Sequence, residues 1–189
     1  FMPAKKYNTK NYRRRNASKK NSGTFRLPLR VSFLGGLNEV GKNITVFEYE
    51  DDMILVDCGL AFPDDEMPGV DFVIPDVSYL EKNQEKIRGI FITHGHEDHV
   101  GAIPYFLRTF NVPVWGTKLS LGILKNKLEE FKLPWQADLR CVQAGDTIAV
   151  GKQFGVEFIR VNPSIADACA LAISTPVGLV VHSGDFKLD

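Results

Sequence analysis

His94-Gly95-His96-Glu97-Asp98-His99 places three imidazoles and two carboxylates within six consecutive residues. Just before it, Ile90, Phe91 and Ile92 form an apolar run that reads as a buried strand. Just after it, Ala102, Ile103, Phe106, Leu107 and Phe110 recur at helical spacing. The cluster therefore lies on a loop that leaves a buried strand and enters a helix. Such a loop is held by a rigid scaffold yet open to solvent, where a catalytic metal site belongs.

The spacing suits cations. Residues two apart in a turn, His94 and His96, can converge on one ion. Asp98 and His99, half a turn further on, are offset and can serve a second ion nearby. Neutral imidazole nitrogen and carboxylate oxygen are ligands for Zn²⁺, and also for Mn²⁺ or Fe²⁺. The plainer reading is a histidine-rich solvated loop. All but one of the chain's four histidines fall in these six positions, which favours the metal.

Working outward, 189 residues are enough for one domain with a real core. No apolar run reaches the roughly 18 residues of a membrane span, and no apolar segment follows the basic start as in a secretory signal. Cys58, Cys141 and Cys169 are an odd count and read as buried free thiols of a reducing compartment. The expectation is a cytoplasmic protein with no membrane partner.

A net charge of zero conceals an asymmetry, because residues 1–30 hold ten Lys or Arg and no acid. The remaining 159 residues hold 13 basic and 23 acidic ones, a net of −10. A basic tail on an acidic body points to a polyanionic partner for the tail. Residues 1–26 show no hydrophobic period and read as a disordered basic arm, with the folded domain over 27–189. In the arm, Lys5, Lys6, Arg13, Arg14, Arg15, Lys19 and Lys20 are the candidate RNA contacts, with Tyr7 and Tyr12 placed to stack on bases. A plain solubilising tail is the alternative.

Arg30 to Leu34 reads as the first strand, followed by Gly35-Gly36-Leu37-Asn38-Glu39-Val40-Gly41-Lys42-Asn43. Gly36 to Lys42 is one residue short of a phosphate-binding P-loop, and Asn43 stands where Ser or Thr should hold Mg²⁺. The next residues, Ile44 to Tyr49, alternate as a strand where a P-loop must open a helix. The loop is better read as a tight connection between antiparallel strands. Further on, Asp64, Asp65 and Glu66 read as a solvated acidic loop, with a third metal site as the alternative. Short helices are expected over 77–86 and 98–109 and a longer one over 118–132, with strands dominating after Leu139. Strands, then helices, then strands again give an α+β fold class.

The HxHxDH pattern resembles the metallo-β-lactamase superfamily. So do Val56-Asp57-Cys58-Gly59 and Ser183-Gly184-Asp185. Within it, Gly35 to Asn43, Pro63 to Asp71, Ile74-Pro75-Asp76, Gly116-Thr117-Lys118-Leu119 and Gly184-Asp185-Phe186-Lys187 resemble the ribonuclease J family, over about residues 28 to 189. The resemblance implies the N-terminal half of an αββα sandwich, ending before a β-CASP insertion. It implies a ribonuclease that trims RNA from a 5′-monophosphate end and also cuts internally, in homo-oligomers or in mixed oligomers with a paralogue. It implies two Zn²⁺, with Mn²⁺ as the alternative. His94 and His96 would hold one ion, Asp98 and His99 the other, with Asp185 between them. Asp98 and Asp185 would serve activation of a shared water to hydroxide. Asp57 would orient a ligand, and His182 reads as packed or supporting rather than ligating.

One position departs from that family. A His precedes its Ser-Ile-x-Asp, whereas this chain has Pro163 before Ser164-Ile165-Ala166-Asp167. Proline offers no donor atom, which leaves the first ion with His94, His96 and Asp185. Two other functions stay open: a catalytically impaired RNA-binding paralogue, favoured by Pro163, and a metallo-hydrolase of small thioesters or lactones.

Overall fold

The computed structural model describes residues 2–3, 27–64, 67–161 and 167–185. Among these described residues, eleven strands fall into two sheets. The first contains β1 (Met2–Pro3), β2 (Arg30–Gly35), β3 (Ile44–Tyr49), β4 (Asp52–Val56), β5 (Ile87–Phe91), β6 (Val114–Gly116) and β7 (Leu139–Cys141), in the order β1-β7-β6-β5-β4-β3-β2. The second is an antiparallel meander of β8 (Thr147–Val150), β9 (Phe154–Arg160), β10 (Cys169–Thr175) and β11 (Gly178–His182). In the first sheet β2, β3 and β4 pair antiparallel, and from β4 to β7 the pairing is parallel.

Both faces of the first sheet are covered, and the strand sequences show it. Every residue of β3 and β4 is buried. Ile44, Val46, Met53 and Leu55 face the helices, where they meet Leu80, Ile103, Phe106, Leu121 and Leu124. Phe47, Tyr49, Ile54 and Val56 face the second sheet and meet Val150, Phe154, Phe158 and Leu171. Phe91 stacks on Trp115 with ring centroids 4.7 Å apart and leans on Phe158 at 6.1 Å, joining the two sheets. Helices, sheet and sheet are three layers in sequence, as expected of the N-terminal half of an αββα sandwich. The class is α+β.

The helices differ from expectation in an instructive way. The helix expected over 98–109 is broken into α2 (Glu97–Val100) and α3 (Ile103–Phe106). Gly101 lies tightly against Leu60, where an added Cβ would approach the Leu60 side chain to 2.5 Å, and Pro104 opens α3. The 77–86 segment is likewise a single turn, α1 (Ser78–Glu81), followed by a 3₁₀ turn over Gln84–Lys86. Among the described residues only α4 (Lys118–Glu130) is a long helix. Within the expected basic arm, Met2–Pro3 pair in parallel with Arg140 and Cys141 of β7; the seven candidate RNA contacts lie outside the described residues. Cys58 and Cys169 are buried, whereas Cys141 is half-buried. No helix among the described residues is long and apolar enough to cross a membrane.

The loop 94–99 is stitched to the sheet through its backbone. Cys58 N–H donates to the His99 carbonyl at 2.8 Å, Leu60 N–H to Glu97 at 3.1 Å and Asn43 N–H to Asp98 at 3.1 Å. Gly59 lies against the same peptide, so an added Cβ would fall 1.6 Å from the Asp98 carbonyl oxygen. Gly59→Ala must therefore displace the loop. It should lower Tm by roughly 10 °C, the shift expected for a loss of about 4 kcal/mol. Gly122→Ala, in α4 where a Cβ meets nothing within 4 Å, should raise Tm slightly. Equal Tm values for the two variants in thermal melts would refute this account of the stitch.

Candidate metal centre

The site is built upward from Asp57. Its backbone adopts a left-handed conformation, φ 61°, which costs a non-glycine residue on the order of 1–3 kcal/mol. The turn aims a buried carboxylate at three donors. Oδ1 accepts the Thr93 backbone N–H at 2.8 Å. Oδ2 accepts the Thr93 hydroxyl at 2.7 Å and the His99 Nδ1–H at 2.8 Å.

These bonds set two imidazole tautomers. A carboxylate only accepts, so His99 carries its proton on Nδ1 and presents the Nε2 lone pair to the site. The Thr93 hydroxyl has one proton, committed to Asp57. Toward His94 Nδ1, 3.0 Å away, it therefore acts as acceptor, and His94 also presents Nε2. One carboxylate thus orients ligands of both expected ions, directly in one case and through a hydroxyl in the other.

The ligand atoms converge. His94 Nε2 lies 3.0 Å from His96 Nδ1 and 3.9 Å from Asp185 Oδ2. His99 Nε2 lies 3.5 Å from Asp98 Oδ2 and 3.3 Å from Asp185 Oδ1. Two groups of three follow, His94–His96–Asp185 and Asp98–His99–Asp185, with ligand atoms in each all within 4.8 Å of one another. Zinc with bonds of about 2.1 Å in a tetrahedron sets its donors roughly 3.3 Å apart. The observed separations and the nitrogen–oxygen donor set fit a divalent cation in each group.

Asp185 arrives from the second sheet. After β11, Gly184 turns at φ 60° and passes so close to Thr93 that a Cβ would meet its side chain at 3.1 Å. His182, half-buried at the end of β11, accepts the Gly184 N–H on Nδ1 at 3.2 Å and so shapes the turn that delivers Asp185. That is a supporting position.

Electrostatics separates the histidines. Burial pushes His94 below the ordinary imidazole range, and the neighbouring His99 adds to the effect against the pull of Asp57 and Asp185. His182 is also lowered, first by burial. His99 moves the other way. Burial would lower it, but the hydrogen bond that His99 donates to Asp57 and the charges of Asp57, Asp98 and Asp185 outweigh burial and raise it. The neighbouring Cys58 thiol is pushed up to about 12 by burial and by the Asp57 charge, so it stays protonated and inert.

All five ligand residues expected from the sequence come together, with Asp57 beneath them. Pro163 lies outside the described residues, as do Asp65 and Glu66 of the acidic loop. Two contributors went unread in the sequence: Thr93, which links Asp57 to His94, and Asn43, whose side chain enters the site from the glycine loop.

Residues 37–186 match the family model described as the metallo-beta-lactamase superfamily. The chain belongs to that superfamily. A divalent metal at this centre is what the superfamily implies. Ribonuclease J of Synechocystis sp. is 51% identical over 162 residues, which span 85% of this chain and 25% of that protein. Ribonuclease J of Thermus thermophilus is 47% identical over 162 residues, 82% of this chain and 28% of that protein. The chain thus spans about a quarter of the length of these relatives. Among solved structures, the metallo-beta-lactamase fold protein YhfI from Bacillus subtilis superposes with a TM-score of 0.61 at 17% identity, covering 85% of this chain and 64% of that one.

Asp57→Asn keeps the side-chain shape but loses one acceptor, so Thr93 and His99 can no longer both donate to it. Zn²⁺ affinity, measured by competition with a chromophoric chelator, should fall about 10–100-fold. Unchanged affinity would mean that Asp57 does not orient the ligands.

Proposed function

We propose that this chain is the metal-holding part of a ribonuclease that hydrolyses RNA phosphodiesters, by 5′-to-3′ trimming and by internal cutting, with two Zn²⁺ and Mn²⁺ as the alternative. The observation that carries this reading is the placement of Asp185, whose two oxygens reach toward His94 and His99 and make it common to both groups of three. Ribonuclease J relatives at 47–51% identity supply the substrate class. When bound, paired divalent cations lower the pKa of water and neutralise charge on a phosphoryl group.

The chain's own groups do the rest. His94, His96 and His99 offer lone pairs whose direction is set through Asp57 and Thr93. Asp185 is exposed at the mouth of the site, and Asp98 and Asp185 would together serve activation of the attacking water to hydroxide. The basic arm, with Lys5, Lys6, Arg13, Arg14, Arg15, Lys19 and Lys20, holds the RNA backbone. The protein acts in the cytoplasm, as a homo-oligomer or with a paralogue.

The test is cleavage of a 5′-monophosphorylated, end-labelled RNA. Chelation should abolish it, Zn²⁺ or Mn²⁺ should restore it, and Asp185→Asn should slow it by about 10²-fold or more. Cleavage that survives chelation would overturn the proposal. Turnover of a thioester or lactone with no action on RNA would favour the small-ester hydrolase.

Pro163 favours a second reading, the impaired paralogue. Pro163→His restores the imidazole that the family resemblance expects at this position. If that reading holds, the variant should gain bound metal, by elemental mass spectrometry, and gain RNA cleavage. Two metals per chain in both proteins would reject it.

A further inference from the structure

The glycine loop over residues 35–43 is not a phosphate cradle, since β3 follows it where a P-loop requires a helix. Its geometry serves one side chain. Gly36 (φ 81°) and Gly41 (φ 100°) take left-handed conformations, and so do Asn38 (φ 57°) and Lys42 (φ 52°). A Cβ on Gly36 would fall 2.5 Å from Asn43 Oδ1, one on Gly35 would fall 2.2 Å from the Lys42 carbonyl oxygen, and one on Gly41 would fall 2.8 Å from Ala61 Cβ. Glu39 ties the loop to itself, accepting the Gly36 N–H at 3.3 Å and pairing with Lys42 at 2.9 Å. At its end Asn43 is fixed by backbone bonds on both sides, donating to Asp98 and accepting from Gly59 N–H at 3.0 Å.

The side chain so held points at the ligand atoms. Asn43 Nδ2 lies 3.2 Å from Asp98 Oδ2 and 3.2 Å from His99 Nε2. A carboxylate only accepts, so the amide nitrogen faces the site and the amide oxygen faces Gly36. With its proton on Nδ1, His99 can accept the second amide N–H on Nε2. A neutral donor thus spans the two atoms that must later share a cation.

We infer that Asn43 is a positioning residue for the Asp98–His99–Asp185 group, holding Asp98 Oδ2 and His99 Nε2 at ligand spacing before a cation enters. When the cation takes the His99 lone pair, the bond to Asp98 Oδ2 remains and keeps that carboxylate aimed. The glycine loop exists to press the amide into place. The inference rests on the metal reading above.

The test is a Zn²⁺ titration of the protein with histidine-selective ¹⁵N labelling, in which His99 reports one group and His94 with His96 the other. Asn43→Ala should weaken binding at His99 about 10–100-fold and leave binding at His94 and His96 unchanged. Gly36→Ala should reproduce that selective loss without touching the site, because its Cβ displaces the Asn43 amide. Gly69→Ala (φ 83°, with nothing within 4 Å of its Cβ) carries the same backbone strain and should leave both groups unchanged. Unchanged binding at His99 in Asn43→Ala overturns the inference and leaves the metal reading standing. Equal weakening at all three histidines, with a lowered Tm, also overturns it, by showing a merely structural role. No Zn²⁺ response at His99 in the parent protein sinks the metal reading itself, and the inference with it.

Discussion

The buried carboxylate of Asp57 is the constraint to which the rest of the structure answers. It terminates β4 in a conformation unfavourable for a residue with a side chain. Its two oxygens take three hydrogen bonds from residues 36 and 42 positions away. A buried carboxylate with fewer partners would cost several kcal/mol, so the site cannot relax one of these bonds without exposing the charge. The end of β4, the end of β5 and the start of α2 are thereby locked to one another. The metal loop inherits its shape from this lock.

That dependence explains which parts of the centre could be read from the sequence. His94, His96, Asp98 and His99 are neighbours in the chain, and their spacing carries the chemistry by itself. The strands β3, β8 and β11 were legible as short runs rich in β-branched and apolar residues bounded by turn residues, even though β3 is buried on both faces. The broken helix over 97–106 was only partly legible: Pro104 is visible in the chain, but Leu60 packing on Gly101 and the Ala102 N–H donating to the Cys58 carbonyl are contacts made across the fold. Thr93 and Asn43 stayed hidden for the same reason. A threonine at a strand end and an asparagine after a glycine loop are ordinary until Asp57 and Asp98 are seen beside them.

The two groups of three are not equivalent. The Asp98–His99–Asp185 group holds two carboxylates and one imidazole, with the Asp57 charge directly behind. The His94–His96–Asp185 group holds two imidazoles and one carboxylate, and His94 is buried toward the neutral form. One position is richer in charge and the other is better prepared as a neutral nitrogen donor.

Asp185 links these differences to the fold as a whole. Among the described residues, every other candidate ligand belongs to the loop and short helix that follow β5 of the first sheet, while Asp185 follows the last strand of the second. The sheets meet at this point through backbone as well as side chains: Cys169 N–H of β10 donates to the Thr93 carbonyl at 2.9 Å, one residue before His94. Gly184 then packs against Thr93. The two groups of three therefore exist only when the two sheets are packed together. A cation bound by both groups stabilises the closed state over any state in which the sheets separate, because ligand binding to one conformation alone shifts the equilibrium toward it. Folding energy and metal affinity are then coupled through the Thr93–Gly184 contact, and a change that loosens the seam between the sheets weakens the centre without removing a single ligand.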